Sequence, residues 1–297
     1  MPDPGASSRA RRDQPPGRAR SARDQRRREL SQNYLRSDGA AAAQFLREVE
    51  ADPGGLCLEV GAGEGILTER LAAMFGRLIA YEVDPAVAAR LRARLHAADS
   101  GAGVPGAGHS GVPGAGHSGV TVVVGDFLAA RPPREPFQVA GNAPFSVTSP
   151  IIDWCLGAPA LTRATLITQL EYARKRTGAY GRWSLRTVTT WPRFDWQLRG
   201  TIRREQFRPV PRVDAGILRL TRRPVPLIPA ARLPAYQRLV QIGFTGVGGS
   251  LLASLRRDYP MPRLTAAFQA AGVPRGTVVA FVTPPQWIEL FRILDHA

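Results

Sequence analysis

The chain has 297 residues, 44% of them hydrophobic, which is enough for one α/β core and a small second domain. Its net charge of +16 comes almost entirely from arginine and favours a polyanionic partner, above all nucleic acid. The sequence has neither a membrane-length apolar run nor the apolar core of a secretory signal, so we expect a cytoplasmic protein.

Residues 1–30 form an arginine-rich tail with almost no apolar side chains. Such a composition cannot bury a core and predicts disorder. The tail serves either as an arm that neutralises RNA phosphates or as a solubilising extension. We favour the arm, because the few acidic residues do not balance the arginines.

The first ordered elements alternate between helix and strand. We predict a helix at 40–50, a strand at 56–60, a helix at 66–75, a strand at 78–82 and a helix at 86–97. Because consecutive strands joined through helices lie parallel, this order predicts a parallel sheet.

A Gly/Pro-rich insertion at residues 98–119 interrupts the pattern. It contains two identical octamers, 103–110 and 111–118, and predicts a flexible surface loop. Its two histidines, His109 and His117, are too few for a metal site, and the two cysteines, Cys57 and Cys155, lie in apolar runs typical of buried free thiols. We therefore expect no metal.

The remaining strands and helices complete two units. Strands are predicted at 120–124, 137–140, 164–170, 191–202 and 215–220, and short helices at 151–156, 233–244, 251–259, 262–271 and 285–294. The fold class is therefore α/β: a Rossmann-like domain over residues 31–222, followed by a small α-helical domain over residues 223–297.

A cofactor site is indicated at the ends of the first strands. The turn Gly61-Ala62-Gly63-Glu64-Gly65 follows a strand, and Glu82 ends the next strand at about the 20-residue spacing of a ribose-binding carboxylate. The dinucleotide pattern G-x-G-x-x-G requires a glycine where the chain has Ile66. Together with Asp126 at the next strand end, this favours S-adenosylmethionine (SAM) over NAD, with Asp126 facing the adenine amine.

An acceptor site is indicated at the segment Gly141-Asn142-Ala143-Pro144-Phe145, which follows another strand. The Asn142 oxygen and a backbone carbonyl of Ala143 or Pro144 can accept hydrogen bonds from an adenine N6 amine, and Phe145 can stack on the base. The segment predicts a site that grips an adenine. Its alternative is a structural Asn-x-Pro turn.

The motifs resemble those of the rRNA adenine-N6 methyltransferases. The resemblance is carried in order by segments 31–35, 58–68, 81–84, 125–128 and 142–145. Three further segments, 168–176, 207–214 and 244–249, resemble the antibiotic-resistance (Erm) branch, which methylates one adenine of 23S rRNA and so blocks macrolides, lincosamides and streptogramin B. Two departures are Ser31, in place of the usual glycine, and Ala143, in place of a larger aliphatic residue that closes the adenine loop.

The resemblance implies roles for individual residues. It implies that SAM contacts Asn33, Leu35, Gly61, Glu82, Asp126 and Asn142. It implies that the adenine contacts Asn142 and Phe145. It further implies a monomer that binds 23S rRNA without metal or membrane.

Arginines on the cleft side are expected to contact the RNA, about half of them being ordinary solvated charges: Arg174, Arg176, Arg182, Arg204, Arg208 and Arg212. Three other functions stay open: a small-subunit rRNA adenine dimethyltransferase, a non-catalytic RNA-binding assembly factor and a DNA adenine methyltransferase. The last typically has Pro at the position of Ala143.

Overall fold

A computed structural model describes residues 33–36, 39–99 and 119–295. The predicted arginine-rich tail and both octamers of the insertion lie outside the described residues. Within these ranges, the chain forms an α/β unit followed by a helical C-terminal part.

The strands are β1 (Tyr34–Leu35), β2 (Asp52–Val60), β3 (Phe75–Glu82), β4 (Val120–Val124), β5 (Phe137–Asn142), β6 (Leu161–Gln169), β7 (Phe194–Ile202), β8 (Phe207–Arg208) and β9 (Ala215–Arg222). Among the described residues, seven form one sheet in the order β4-β3-β2-β5-β6-β9-β7, and β1 pairs with β8. The neighbours from β4 to β6 are parallel, whereas β9 pairs antiparallel with β6 and β7.

The helices are α1 (Ala40–Leu46), α2 (Thr68–Ala72), α3 (Pro85–Asp99), α4 (Thr148–Gly157), α5 (Leu170–Thr177), α6 (Leu185–Thr190), α7 (Leu233–Gly243), α8 (Leu251–Leu255), α9 (Met261–Ala270) and α10 (Pro284–Asp295). The Rossmann-like α/β prediction is confirmed by the parallel part of the sheet and the helices that connect its strands. Several predicted boundaries were wrong. Phe75 begins β3 instead of ending a helix, and Leu170 begins α5 instead of ending a strand. The helices predicted at 40–50 and 251–259 end earlier, and the strand predicted at 191–202 begins later.

The sheet reverses its direction of winding between β2 and β5. From β2 the chain adds β3 and then β4 on one side, and it returns to place β5 on the other side of β2. Val60 at the end of β2 pairs with Tyr81 and with Gly141, so the carboxyl ends of these strands lie side by side. Ligands bind at such a switch point in open α/β sheets.

Gly141 allows this close approach. A Cβ atom at this position would lie 2.4 Å from the Val60 carbonyl oxygen, and its φ of +147° is one that other residues rarely adopt. The glycine therefore holds β5 against β2 directly beneath the predicted acceptor segment.

The C-terminal helices enclose a core of their own around Tyr236 and Trp287, both fully buried. Tyr236 donates a 2.9 Å hydrogen bond to the backbone carbonyl of Val188 in α6, and Val188 belongs to the same core. The helical part is thus docked on the α/β unit through α6. The domain boundary predicted after residue 222, the last residue of β9, stays a prediction.

Both cysteines are buried free thiols, as the sequence predicted. In the part of the chain that the structure describes, no helix combines the length and the apolar character needed to cross a membrane.

Candidate active site

A cavity opens at the carboxyl ends of β2, β3, β4 and β5. Among the residues that line it are most of those predicted to bind cofactor or adenine: Asn33, Gly61, Glu82, Asp126, Asn142 and Phe145. These residues are distant in sequence, and the parallel register of the strands brings them together.

The glycine turn forms one wall of the cavity. Gly61, Gly63 and Gly65 all have positive φ, at 69°, 56° and 83°. A Cβ atom at Gly63 would lie 2.8 Å from the Tyr34 ring, so this ring packs directly over the turn. The turn needs glycine both for its backbone conformation and for the space that Tyr34 occupies.

Glu82 is a buried carboxylate at the end of β3, with 2% of its surface exposed. One of its oxygens accepts a 2.8 Å hydrogen bond from the backbone N–H of Gly63, and the other accepts a 2.9 Å bond from that of Asp84. Glu82 therefore links β3 to the glycine turn as well as lining the cavity. Its charge is fixed in place by backbone donors.

Asp126 lies at the end of β4 and caps a short 3-10 helix by accepting a 2.9 Å hydrogen bond from the Leu128 N–H. The side chain is exposed. Phe127 beside it is buried, with its ring edge-to-face against Tyr81 at 5.5 Å and tilted against Trp154 at 4.6 Å. These rings give the cavity a firm apolar side next to a carboxylate.

Asn142 occupies the junction between the strand ends and the N-terminal segment. Its Nδ2 donates a 2.6 Å hydrogen bond to the backbone carbonyl oxygen of Asn33. Because a carbonyl oxygen only accepts, this bond fixes which end of the amide is nitrogen. The side-chain oxygen is left as a hydrogen-bond acceptor in a residue that lines the cavity.

The rest of the acceptor segment is held by local contacts. The Pro144 carbonyl accepts hydrogen bonds from the Val147 N–H at 3.1 Å and from the Thr148 hydroxyl at 3.3 Å. Among the described residues, no donor reaches the Ala143 carbonyl. Of the two carbonyls that the sequence left open as partners for N6, Ala143 is therefore the available one.

Phe145 is half-buried, and its ring meets Phe207 of β8 edge-on at 6.4 Å. The ring lines the cavity and packs against the core cluster that contains Phe207. Ala143 is 1% exposed and packs into the main core, so its small side chain points away from solvent.

Leu35 lies apart from the main cavity. It is 6% exposed, pairs with Phe207 across β1 and β8, and packs in the core beside α1. It lines a smaller adjoining cavity together with Gly61 and Asn142. Its predicted contact with SAM rested on the family resemblance alone and stays a prediction.

Glu59 is a potential functional residue to which the sequence interpretation gave no role. It is 1% exposed, it lines the smaller cavity, and neither carboxylate oxygen has a hydrogen-bond partner among the described residues. Burial raises its pKa to about 8, and the charge of Glu82 adds to this rise. The available signal was a single charged residue in the otherwise apolar run 56–60.

The six arginines predicted to contact RNA fall into two groups. Arg176 donates to the Ser184 hydroxyl at 2.9 Å and lies over the Tyr172 ring, and Arg204 pairs with Glu205 at 3.0 Å. These two are occupied by contacts within the protein. Like Arg176, the other four have no carboxylate partner within the described ranges, and the first two of them also lie against aromatic rings: Arg174, Arg182, Arg208 and Arg212.

A glycine turn, two carboxylates and an asparagine loop at the switch point of a mixed, largely parallel sheet define a Rossmann-like methyltransferase. The family model described as ribosomal RNA adenine dimethylase matches residues 23–296. The chain therefore belongs to the ribosomal RNA adenine dimethylase family, and the predicted resemblance is confirmed.

Individual relatives agree with this assignment. The chain is 55% identical to an rRNA adenine N-6-methyltransferase of Streptomyces fradiae, over 90% of this chain and 78% of the relative. It is 33% identical to the mycinamicin-resistance protein MyrB of Micromonospora griseorubida, over 90% and 78% of the two chains. The crystal structure of the 23S rRNA methyltransferase ErmE superposes with a TM-score of 0.80 at 46% identity, covering 89% of this chain and 100% of ErmE.

Proposed function

We propose that this protein uses SAM to methylate N6 of one adenine in the peptidyl transferase region of 23S rRNA, and thereby protects ribosomes from macrolide-type antibiotics. The observation that carries the proposal is the hydrogen bond from Asn142 to the Asn33 carbonyl, which fixes an amide oxygen as an acceptor at the cavity. The relatives named above for 23S rRNA methylation and for mycinamicin resistance support the choice of substrate and outcome.

The residues at the strand ends fit SAM. Glu82 supplies a fixed carboxylate for the ribose hydroxyls, and Asp126 supplies an exposed carboxylate for the adenine amine beside the apolar wall of Phe127. Glu59 is a buried carboxylate without a hydrogen-bond partner among the described residues, and a positively charged ammonium group would stabilise it there. Between them, these three carboxylates match the polar groups of the cofactor.

SAM supplies a methyl group on a positively charged sulfur, and the protein must present a nucleophile to it. The lone pair of adenine N6 is delocalised into the ring, so the free amine is a poor nucleophile. Hydrogen bonds from both N6 hydrogens to Asn142 Oδ1 and the Ala143 carbonyl favour a pyramidal nitrogen whose lone pair points out of the ring plane. Phe145 stacks on the extruded base, and catalysis is then mainly positioning and electrostatics.

The substrate is tested by incubating the protein with radiolabelled SAM and either protein-free 23S rRNA or 30S particles. We expect label in 23S rRNA only. Label confined to small-subunit rRNA would replace the proposal with a small-subunit dimethyltransferase. Failure to bind SAM in calorimetry would instead support a non-catalytic RNA-binding factor.

A further inference from the structure

An exposed aromatic side chain lies at the tip of the turn that joins α5 to α6. Gly178 ends α5 with a φ of +70°, and the Gly181 N–H donates a 2.9 Å hydrogen bond back to the Gly178 carbonyl. Tyr180 lies between these two glycines, with 52% of its surface exposed. A large ring is thus displayed on a closed, hydrogen-bonded turn.

The base of this turn is anchored at both ends. The Trp183 indole packs so closely on Gly178 that a Cβ atom there would lie 2.5 Å from the indole ring. The backbone N–H of Trp183 donates a 2.7 Å hydrogen bond to the backbone carbonyl of Ala280 in the helical part. The turn is therefore fixed where the α/β unit meets the C-terminal helices, so Tyr180 is presented with little freedom to lose on binding.

Positive charge surrounds the Tyr180 ring. The Arg174 guanidinium lies 5.8 Å from the ring centroid on one side, and the single lysine of the chain, Lys175, is exposed beside it. Arg182 lies 5.3 Å over the ring of Phe281, which is itself 48% exposed. Cations next to exposed aromatic rings are typical of surfaces that bind single-stranded nucleic acid.

Two shallow grooves meet at Tyr180. One is lined by Lys175, Arg182 and Trp183, and the other by Arg174 and Arg212 among others. The acidic side chains in these grooves are Glu171, which lines both, and Asp214, which accepts a hydrogen bond from the backbone N–H of Arg204 at 2.9 Å. Cations outnumber carboxylates along both grooves, so the path suits a phosphate backbone.

The second groove leads towards the acceptor segment. Arg212 lies in the loop that follows β8, and Phe207 of β8 packs against Phe145. β8 also pairs with β1, which carries Tyr34 of the cavity wall. The segment 204–214 therefore contributes residues to the second groove at its ends and contacts Phe145 of the candidate active site through Phe207.

We propose that Tyr180 is a stacking platform for an unpaired nucleobase of the RNA that flanks the target adenine. Lys175 and Arg182 hold the phosphates on one side of the stacked base, and Arg174 and Arg212 hold them on the other. RNA that is recognised by sequence is bound mostly as unpaired nucleotides, whose bases stack on aromatic rings. The inference rests on the proposed function, since it takes rRNA as the substrate.

The first test compares Tyr180→Ala with Tyr180→Phe in the full-length protein. We expect Tyr180→Ala to weaken binding of protein-free 23S rRNA by about 5- to 100-fold, and Tyr180→Phe to bind nearly as well as the wild type, because stacking needs the ring and not the hydroxyl. The SAM Kd should stay unchanged in both variants, which also shows that they fold. Equal RNA affinity for wild type and Tyr180→Ala would overturn the inference.

Charge variants provide a matched comparison. Lys175→Ala should reduce the salt dependence of RNA binding. The control is Arg90→Ala, which should leave the salt dependence unchanged. Arg90 is exposed on α3, which packs beside β3 and β4 at the opposite edge of the sheet. An equal effect of the two substitutions would mean that the Tyr180 surface has no specific role.

The second test uses the unaltered protein. The wild type is crosslinked to unmodified 23S rRNA with ultraviolet light, digested with trypsin and nuclease, and analysed by mass spectrometry. Cleavage after Arg176 and Arg182 isolates Tyr180 in the peptide 177–182, which we expect to carry a nucleotide. Crosslinks confined to other peptides would contradict the inference, while methylation of 23S rRNA by the same protein would leave the proposed function standing.

Discussion

The Asn142 side chain donates a 2.6 Å hydrogen bond to the backbone carbonyl of Asn33, 109 positions earlier in the chain. This bond ties the end of β5 to the segment that precedes β1. It also decides the orientation of the amide, because only its nitrogen can donate. The proposed acceptor oxygen for adenine N6 is therefore set by a contact between two distant segments.

Replacing Asn142 should separate catalysis from RNA binding. We expect Asn142→Ala to reduce kcat on the order of 100-fold, with little change in RNA affinity, because the lost acceptor acts on the reacting nitrogen. Asn142→Asp should be equally inactive, since a carboxylate cannot donate to the Asn33 carbonyl. Single-turnover methylation and filter binding measure the two quantities. A comparable loss of RNA affinity would show that Asn142 has a different role.

Glu82 should both bind the cofactor and stabilise the glycine turn. Glu82→Ala leaves the N–H groups of Gly63 and Asp84 without their side-chain acceptor, and each buried donor left unpaired costs about 1–3 kcal/mol. We expect a large loss of SAM affinity by calorimetry and a lower free energy of unfolding. Glu82→Gln keeps one acceptor oxygen and should be milder on stability. Unchanged SAM affinity in Glu82→Ala would contradict the assignment.

Glu59 should make stability depend on pH. Its pKa is raised to about 8 in the folded protein, so between pH 4.5 and pH 8 the folded state keeps a proton that the unfolded chain has lost. The free energy of unfolding therefore keeps this contribution in full below the unfolded-state pKa of 4.5. It loses the contribution as pH rises through the folded-state pKa of about 8, by at most about 1.4 kcal/mol per pH unit.

Glu59→Gln removes this titrating group while keeping a similar shape. Urea unfolding of the cofactor-free protein from pH 5 to pH 9 should therefore show a smaller decline with pH in the variant than in the wild type. Parallel curves for the two proteins would mean that Glu59 is already ionised in the folded state.

The arginine-rich tail should add affinity without adding specificity. We expect deletion of residues 1–28 to weaken RNA binding at low salt and to reduce its salt dependence, because fewer phosphate counterions are released. The SAM Kd serves as the control and should not change. If the truncated protein binds RNA as tightly as the full chain at low salt, the tail has only a solubilising role.

The sequence was sufficient to place the groups that local pattern determines. Gly61 and Asp126 follow apolar strands and Glu82 ends one, and parallel strands bring their carboxyl ends to one edge. The antiparallel pairing of β9 with β6 and β7 was not predicted, since strand direction depends on connections that hydrophobic periodicity does not encode.

The sequence could not reveal the contacts that depend on the folded chain. The bond between Asn142 and Asn33 joins segments with no periodic relationship, and the burial of Glu59 becomes evident only once Leu35 and Leu67 are placed around the smaller cavity. The choice of Ala143 over Pro144 as the second acceptor likewise required knowing that Val147 and Thr148 occupy the Pro144 carbonyl.

Primer extension on 23S rRNA, from cells that express either the wild type or Asn142→Ala, tests whether this protein methylates the proposed adenine and whether Asn142 is needed. Reverse transcription is blocked when N6 carries two methyl groups, so dimethylation would give a stop at the modified base. Mass spectrometry of the same RNA fragment detects a single methyl group. We predict modification at one adenine of the peptidyl transferase region with the wild type, and a much smaller modified fraction with Asn142→Ala. Modification found only in small-subunit rRNA, or an equal modified fraction with wild type and Asn142→Ala, would overturn the proposal.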